Sequence, residues 1–322
     1  MQNEKKRLHE DYDRLLEEQN QLRQERDAFL ASWSFRLGRM LTWFPRKVRN
    51  VLRKLIMLNK NQNSFQDDFY ALEPFRKDIV QRYLKETFLP LKSYQQYMRN
   101  AKAKGIFFSA EAAQDIMAYL FFLGKSDGFY IEIGANGGRN GSTTFWAEQL
   151  GWKGICVEPQ EEAFKRLSKH RNCALYKFAI SDKRKQIEFI SFPERDTRSG
   201  IADTMTPKHI DEAKKVSSVK IEIIDTITFN NMMKDFPDVN YIDFLTIDTE
   251  GHEMNVLKSI NFDKYSFGFI AIEARENSDV VKFMNTMGYK LLLRAHCDII
   301  LVPQEFQPLY RKLNGRCYEI NC

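Results

Sequence analysis

From residue 109 onward the apolar positions switch between two periods. Gly128–Ile133 (GFYIEI), Lys153–Val157 (KGICV) and Tyr241–Ile247 (YIDFLTI) are short, nearly continuous apolar runs of the kind that form buried strands. Ala174–Ile180, Val219–Ile224 and Phe267–Ala274 read as further strands, and Gln186–Phe192 alternates as a strand does. Helical spacing separates them. Ser109 is placed to cap a helix running to about Leu123; others cover about Ser142–Leu150, Glu161–His170, Thr228–Lys234, Glu253–Ile260 and Asp279–Met287. Tyr289–Leu293 and Ile299–Val302 suit a closing hairpin, and 193–217 is polar and irregular around a short helix at Pro207–Lys214. Strands alternating with helices predict an α/β domain, residues 109–322, with a mostly parallel sheet covered on both faces. In such sheets ligands sit at the carboxyl ends of the strands.

The first third is organised differently. Leu8, Tyr12, Leu15, Gln19, Leu22, Arg26 and Phe29 are spaced four and three apart, a short heptad pattern that predicts a coiled coil over 1–30. A lone solvated helix is the alternative. Residues 28–66 hold no Asp or Glu and eight Lys or Arg, interleaved with Trp33, Phe35, Trp43 and Phe44. The segment 31–60 suits either an anionic membrane surface or packing of its apolar face on the main domain. Residues 61–108 read as a helical linker region, with Pro74 at a helix start and Pro90 forcing a break.

Charge and composition narrow the classes. The net charge is +6 and the basic segment alone carries +8, so the remainder sums to −2 and lacks the basic footprint of a nucleic-acid binder. No run approaches the ~20 apolar residues a spanning helix needs, and the charged N-terminus has no signal-peptide core. The five scattered cysteines form no CxxC pair and read as free thiols in a reducing cytoplasm.

The candidate chemistry gathers at strand ends. Gly134, Gly137, Gly138 and Gly141 follow the first strand and open a helix. Asn136 stands where a dinucleotide fingerprint needs its middle glycine, and there is no Walker lysine. Glu158, ending the next strand, can accept both hydroxyls of an unphosphorylated ribose, and Glu132 can face the amino group of a zwitterionic ligand. Together these features describe S-adenosylmethionine better than NAD, against an ordinary glycine-rich loop. Asp248, Glu250 and His252 leave a strand end together; His252 is the candidate base, oriented by Asp248 or Glu250. Alternatively Asp248 and Glu273 bind Mg²⁺, or Asp248 merely caps the following helix. Arg195, Arg198 and Ser199 of the polar loop, with Glu273, are candidate substrate contacts.

IEIGANGG at 131–138, VEP at 157–159, AISD at 179–182 and IDTEGHE at 247–253 resemble, in order, the motifs of the FkbM-type methyltransferases. The resemblance implies a class I (Rossmann-like) seven-stranded sheet after an N-terminal helical or coiled-coil extension, and S-adenosylmethionine as cofactor. It implies cofactor contacts at Glu132, Gly134, Ala135, Asn136, Gly138, Ser142, Glu158, Pro159 and Ser181, with Asp182 near the adenine edge. Two positions depart from the pattern: Thr246 replaces a frequent lysine and Glu132 a frequent aspartate. The SWSFRLGRxL segment (32–41) resembles, more weakly, tails of bacterial polysaccharide glycosyltransferases. The expectation is a cytoplasmic O-methyltransferase of a glycan or glycolipid-linked sugar, peripheral on the membrane's inner face. Its coiled coil would join a second copy or a glycosyltransferase. A methyltransferase of a secondary metabolite and an inactive scaffold are the rivals.

Overall fold

The structure, a computed structural model, describes residues 74–319 except 88, 194–195, 275–277, 309 and 314–315. The expected coiled coil (1–30), the basic-aromatic segment (31–60) and the start of the linker region (61–73) lie outside the described residues. Helix α1 (Pro74–Glu86) and helix α2 (Leu91–Ala103) are separated at Pro90, which caps α2 in an extended conformation. These helices join the domain that follows: Arg82 donates to the Arg294 carbonyl at 2.9 Å, and Phe75 meets the His296 ring edge-on at 5.1 Å. The region read as a linker is therefore, where described, part of the same compact unit, Tyr70–Cys322.

Helix α3 (Gln114–Phe121) starts later than the sequence predicts. Ser109 does not cap it; its hydroxyl donates to the Arg139 carbonyl at 2.7 Å, and the chain enters the helix through Ala113 in the left-handed region, φ 57°. The alternation then runs β1 (Phe129–Ile133), α4 (Phe145–Gln149), β2 (Lys153–Val157), α5 (Glu161–His170) and β3 (Ala174–Tyr176). The run Ala174–Ile180 is not one strand. β3 pairs with β2, whereas β4 (Ala179–Ile180) leaves the sheet to pair with a later strand. Next come β5 (Gln186–Ser191), β6 (Gly200–Ile201), α6 (Pro207–Lys214), β7 (Lys220–Ile227) and α7 (Phe229–Met232), the last capped by the Thr228 side chain, which accepts from Asn231 N. β8 (Tyr241–Ile247), α8 (Glu253–Lys258), β9 (Ser266–Glu273), α9 (Ser278–Thr286) and the antiparallel pair β10 (Tyr289–Ala295) and β11 (Asp298–Pro303) follow, with a small hairpin of β12 (Tyr310–Leu313) and β13 (Arg316–Glu319) after them.

The main sheet is mixed and has seven strands in the order β10–β11–β9–β8–β1–β2–β3. All pairings from β3 to β9 are parallel; β11 lies antiparallel between β9 and β10. The order steps away from β1 in both directions, so β1 and β8 end side by side at a topological switch point. A second, four-stranded sheet, β4–β7–β5–β6, gathers the strands that the sequence pattern left unassigned to a layer.

Strands β8 and β9 are buried along nearly their whole length because helices cover both faces. On one face Phe267 is enclosed by Phe229, Phe262 and Tyr289, with ring centroids 5.9–6.2 Å away. Met232 and Met233 belong to the same core. Phe267→Ala leaves a void that these fixed rings cannot fill, and is expected to cost about 3–5 kcal/mol. Urea unfolding should show a lower midpoint at unchanged slope.

Candidate functional site

The carboxyl ends of β1, β2, β8 and β9 open into one cavity of about 520 Å³, within the range of small-molecule sites. Its floor is the glycine turn. Gly134 adopts φ 86°, and a Cβ there would lie 1.8 Å from the Asp248 carbonyl oxygen, so only glycine lets β1 and β8 end this close together. Gly134 and Ala135 both donate to the Val157 carbonyl, at 2.9 and 3.0 Å, which ties the turn to β2.

The turn is held from behind by Arg171, just past α5 and buried. Its Nε donates to Glu148 at 2.7 Å; Nη1 donates to Glu132 at 3.0 Å, Ser142 Oγ at 3.1 Å and the Gly138 carbonyl at 3.2 Å; Nη2 donates to the Tyr130 hydroxyl at 2.8 Å and Thr144 Oγ1 at 2.9 Å. Gly138 (φ 74°) leaves room for the arginine stem: a Cβ would lie 2.8 Å from Arg171 Cγ. Glu132 also accepts from Ser142 Oγ, from the Thr143 amide at 2.9 Å and from Thr144 Oγ1 at 2.6 Å. Both its oxygens are committed to donors of the protein. The expected contact from Glu132 to a ligand's amino group is corrected accordingly: the residue borders the cavity, but its carboxylate holds the turn. Ser142 likewise borders the cavity and serves that carboxylate, and Gly138 is packed against Leu167 and Arg171 rather than in the cavity lining.

Glu158 is differently placed. One oxygen accepts from the Asn136 amide and the other from the Gln160 amide, each at 2.8 Å. Two backbone donors fix its plane beside the cavity. Asn136, with φ 44°, Ala135 and Pro159 complete that wall. A carboxylate so fixed beside a glycine turn fits the ribose of a nucleoside donor. Ser181 and Asp182 do not take part: Ser181 is fully buried and Asp182 exposed, and neither borders the cavity. Phe178, Ala179 and Ile180 stand there instead, because β4 bends away from β3.

The far end is acidic. Asp248, Glu250 and Glu273 each place a carboxylate oxygen within 4.8 Å of the others, a spacing at which they could share protons or hold a cation. Asp248 is exposed where it opens onto the cavity, but protein is crowded closely around its carboxyl. That desolvation raises its carboxyl well above the usual range, and Glu273, Glu250, Asp298 and Glu253 raise it further. Asp298 stands opposite Glu273 in the β9–β11 register and is pushed up to about 7, mainly by burial. Arg198 and Ser199 line the cavity as expected; Arg195 lies outside the described residues. Asp298, Gln114 and His296 were missed by sequence reasoning. They reach the cavity from a hairpin tip and from the first residue of α3, with no motif of their own.

His252 is not the base. Its ring is buried outside the cavity lining. Nε2 meets Ser181 Oγ at 3.0 Å, while Nδ1 meets Asn255 Nδ2 at 3.1 Å and Thr204 Oγ1 at 3.3 Å. Burial lowers its pKa to about 4. The folded-state value lies below the unfolded one, so His252 supports the fold fully above pH 6.5 and that support is lost as pH falls toward 4. The loss is about 3 kcal/mol. Relative to wild type, His252→Asn should flatten the fall of unfolding free energy between pH 6.5 and 4, measured by urea titration.

The family model described as "Methyltransferase FkbM domain" matches residues 132–291. No curated protein matches the chain. Among solved structures, a chain titled "crystal structure of fibrillarin/Nop5p complex" is 14% identical with a TM-score of 0.28, covering 55% of this chain and 72% of that one. A putative RNA methyltransferase, PH1948 from Pyrococcus horikoshii, is 13% identical with a TM-score of 0.28, covering 62% and 93%. Likenesses of this size add nothing to the family match. The motifs, the cavity they line and that match lead to one statement: the chain carries an FkbM methyltransferase domain over residues 132–291, with S-adenosylmethionine as the implied methyl donor.

Proposed function

We propose that the domain methylates a hydroxyl of a sugar in a surface polysaccharide or a glycolipid-linked glycan. The observation that carries the reading is the continuity of one cavity, whose wall passes from Gly134–Asn136 and Glu158 to Arg198, Ser199, Glu250 and Glu273. The first group suits the donor; the second offers the hydrogen-bonding groups a sugar requires. When bound, the donor supplies a methyl group on a sulfonium sulfur. The chain's own task is to align the acceptor hydroxyl in line with the carbon–sulfur bond and to take its proton. Asp248 replaces His252 in that role, since it borders the cavity beside the glycine turn. The Asp248 carboxylate would take the hydroxyl proton, while the donor, held by Gly134–Asn136 and Glu158, would supply the methyl group. The spacing of Asp248, Glu250 and Glu273 supports a second reading, in which the three carboxylates hold Mg²⁺ to acidify the hydroxyl.

No helix among the described residues is long and apolar enough to cross a membrane. From the sequence of residues 1–60 we infer a coiled coil and a basic-aromatic segment. They would bring the chain to a glycan-assembly partner at an anionic, cytoplasmic membrane face.

Calorimetric titration of S-adenosylhomocysteine into the full chain tests the donor site. Wild type should bind, and Glu158→Ala should bind at least tenfold more weakly, ~1.4 kcal/mol. A folded wild type that does not bind contradicts the reading and leaves an inactive scaffold. Label from methyl-tritiated donor should then enter sugar residues of a glycan fraction, with loss of transfer on chelation if the Mg²⁺ reading holds. Label confined to small metabolites would contradict the glycan assignment.

A further inference from the structure

We propose that β7 is a dimerisation edge: two copies of the chain join antiparallel through residues 219–223, about a twofold axis at Ile221, so that the two four-stranded sheets become one. The inference stands apart from the reaction assigned above.

The edge is open. One side of β7 pairs with β5 along residues 220–225, but on the other side β4 reaches only Thr226 and Ile227. The direction of the backbone groups follows from the neighbouring bonds. The Thr226 amide donates to the Lys185 carbonyl, toward β5, while the Ile227 carbonyl accepts from Ser181, on the β4 side. Even-numbered residues of β7 therefore point at β5, and the N–H and C=O of Ile221 and Ile223 point out of the open edge. Among the described residues no strand pairs with them.

The side chains are self-complementary in one register. Ile221 and Ile223 are each 61% exposed and Val219 is 42% exposed, all on the same face. With the axis at Ile221, Ile221 faces Ile221 of the partner subunit and Val219 faces Ile223 of the partner subunit, which closes the apolar stripe on itself. On the opposite face Lys220 then stands directly across from Glu222 of the partner subunit. Within one strand these two already attract, at 2.6 Å. Moving the axis to Glu222 would set Glu222 against Glu222 of the partner subunit, and moving it to Ile223 would set Ile221 against Asp225 of the partner subunit. Facing like charges, or a charge facing an isoleucine, disfavours both. Exposed apolar edges are the strands that pair with another chain.

Cysteine cross-linking of the full chain reads the register. Ile221→Cys places two cysteines across the axis at a Cα separation of about 5.5 Å, within disulfide reach. Ile223→Cys, equally exposed, places them four residues apart along the strand, about 13 Å. Under mild oxidation Ile221→Cys should give a covalent dimer that wild type and Ile223→Cys do not. In the Ile221→Cys background, Lys220→Glu should lower the yield at least fivefold and the added Glu222→Lys should restore it. Equal cross-linking at 221 and 223, or none at 221 in protein with wild-type thermal unfolding, overturns the proposal. An oligomer formed elsewhere in the chain would not reproduce that selectivity.

Discussion

One buried guanidinium organises the site. Burying a charge is expensive, and the cost is offset only where partners satisfy it completely. Arg171 meets that condition with carboxylates from Glu132 and Glu148, hydroxyls from Tyr130, Ser142 and Thr144, and the Gly138 carbonyl. These partners come from β1, the glycine turn and α4. A planar fork of donors can hold so many directions at once; the point charge of a lysine cannot. The consequence is a turn whose backbone is set before any ligand arrives, which is what a site needs in order to bind without first ordering itself.

The cavity follows from that frame. With the turn fixed, Gly134 abuts the Asp248 carbonyl, the Asn136 amide is aimed at Glu158, and Glu158 is held oriented beside the cavity. At the other end the arrangement is reversed. Asp248, Glu250 and Glu273 crowd their carboxyls together, and desolvation with acidic neighbours raises Asp248 and Asp298 above the usual carboxyl range. One end of the cavity is thus an ordered acceptor wall, and the other a reservoir for protons or a cation. Methyl transfer to a hydroxyl requires both a held donor and a proton sink.

What could be read from the sequence was what is local. Lys153–Val157, Glu161–His170 and Tyr241–Ile247 fall where the apolar pattern places them, because a buried strand or an amphipathic helix writes its period into adjacent residues. The glycine turn and Glu158 were legible for the same reason. The break of Ala174–Ile180 into β3 and β4 was not, since both halves are apolar and only their pairing partners differ. Arg171 gave no signal: it lies 39 residues from Glu132 and sits in a charged stretch that reads as a solvated helix end. His252 misled in the opposite way. Its motif position suggested a base, but Ser181, 71 residues away, and Thr204 meet its ring in the interior. Side-chain roles set by long-range contacts are invisible to periodicity.

A double-mutant cycle on Arg171 and Glu132, read by urea unfolding, tests most directly whether this pair is the frame of the site. Arg171→Met and Glu132→Gln should each cost about 3–5 kcal/mol, because each leaves the other partner's charge or donors buried and uncompensated. The double variant should lose little more than the worse single variant, a coupling of about 2 kcal/mol or more. Losses that simply add, or an Arg171→Met variant within 1 kcal/mol of wild type, would contradict the account.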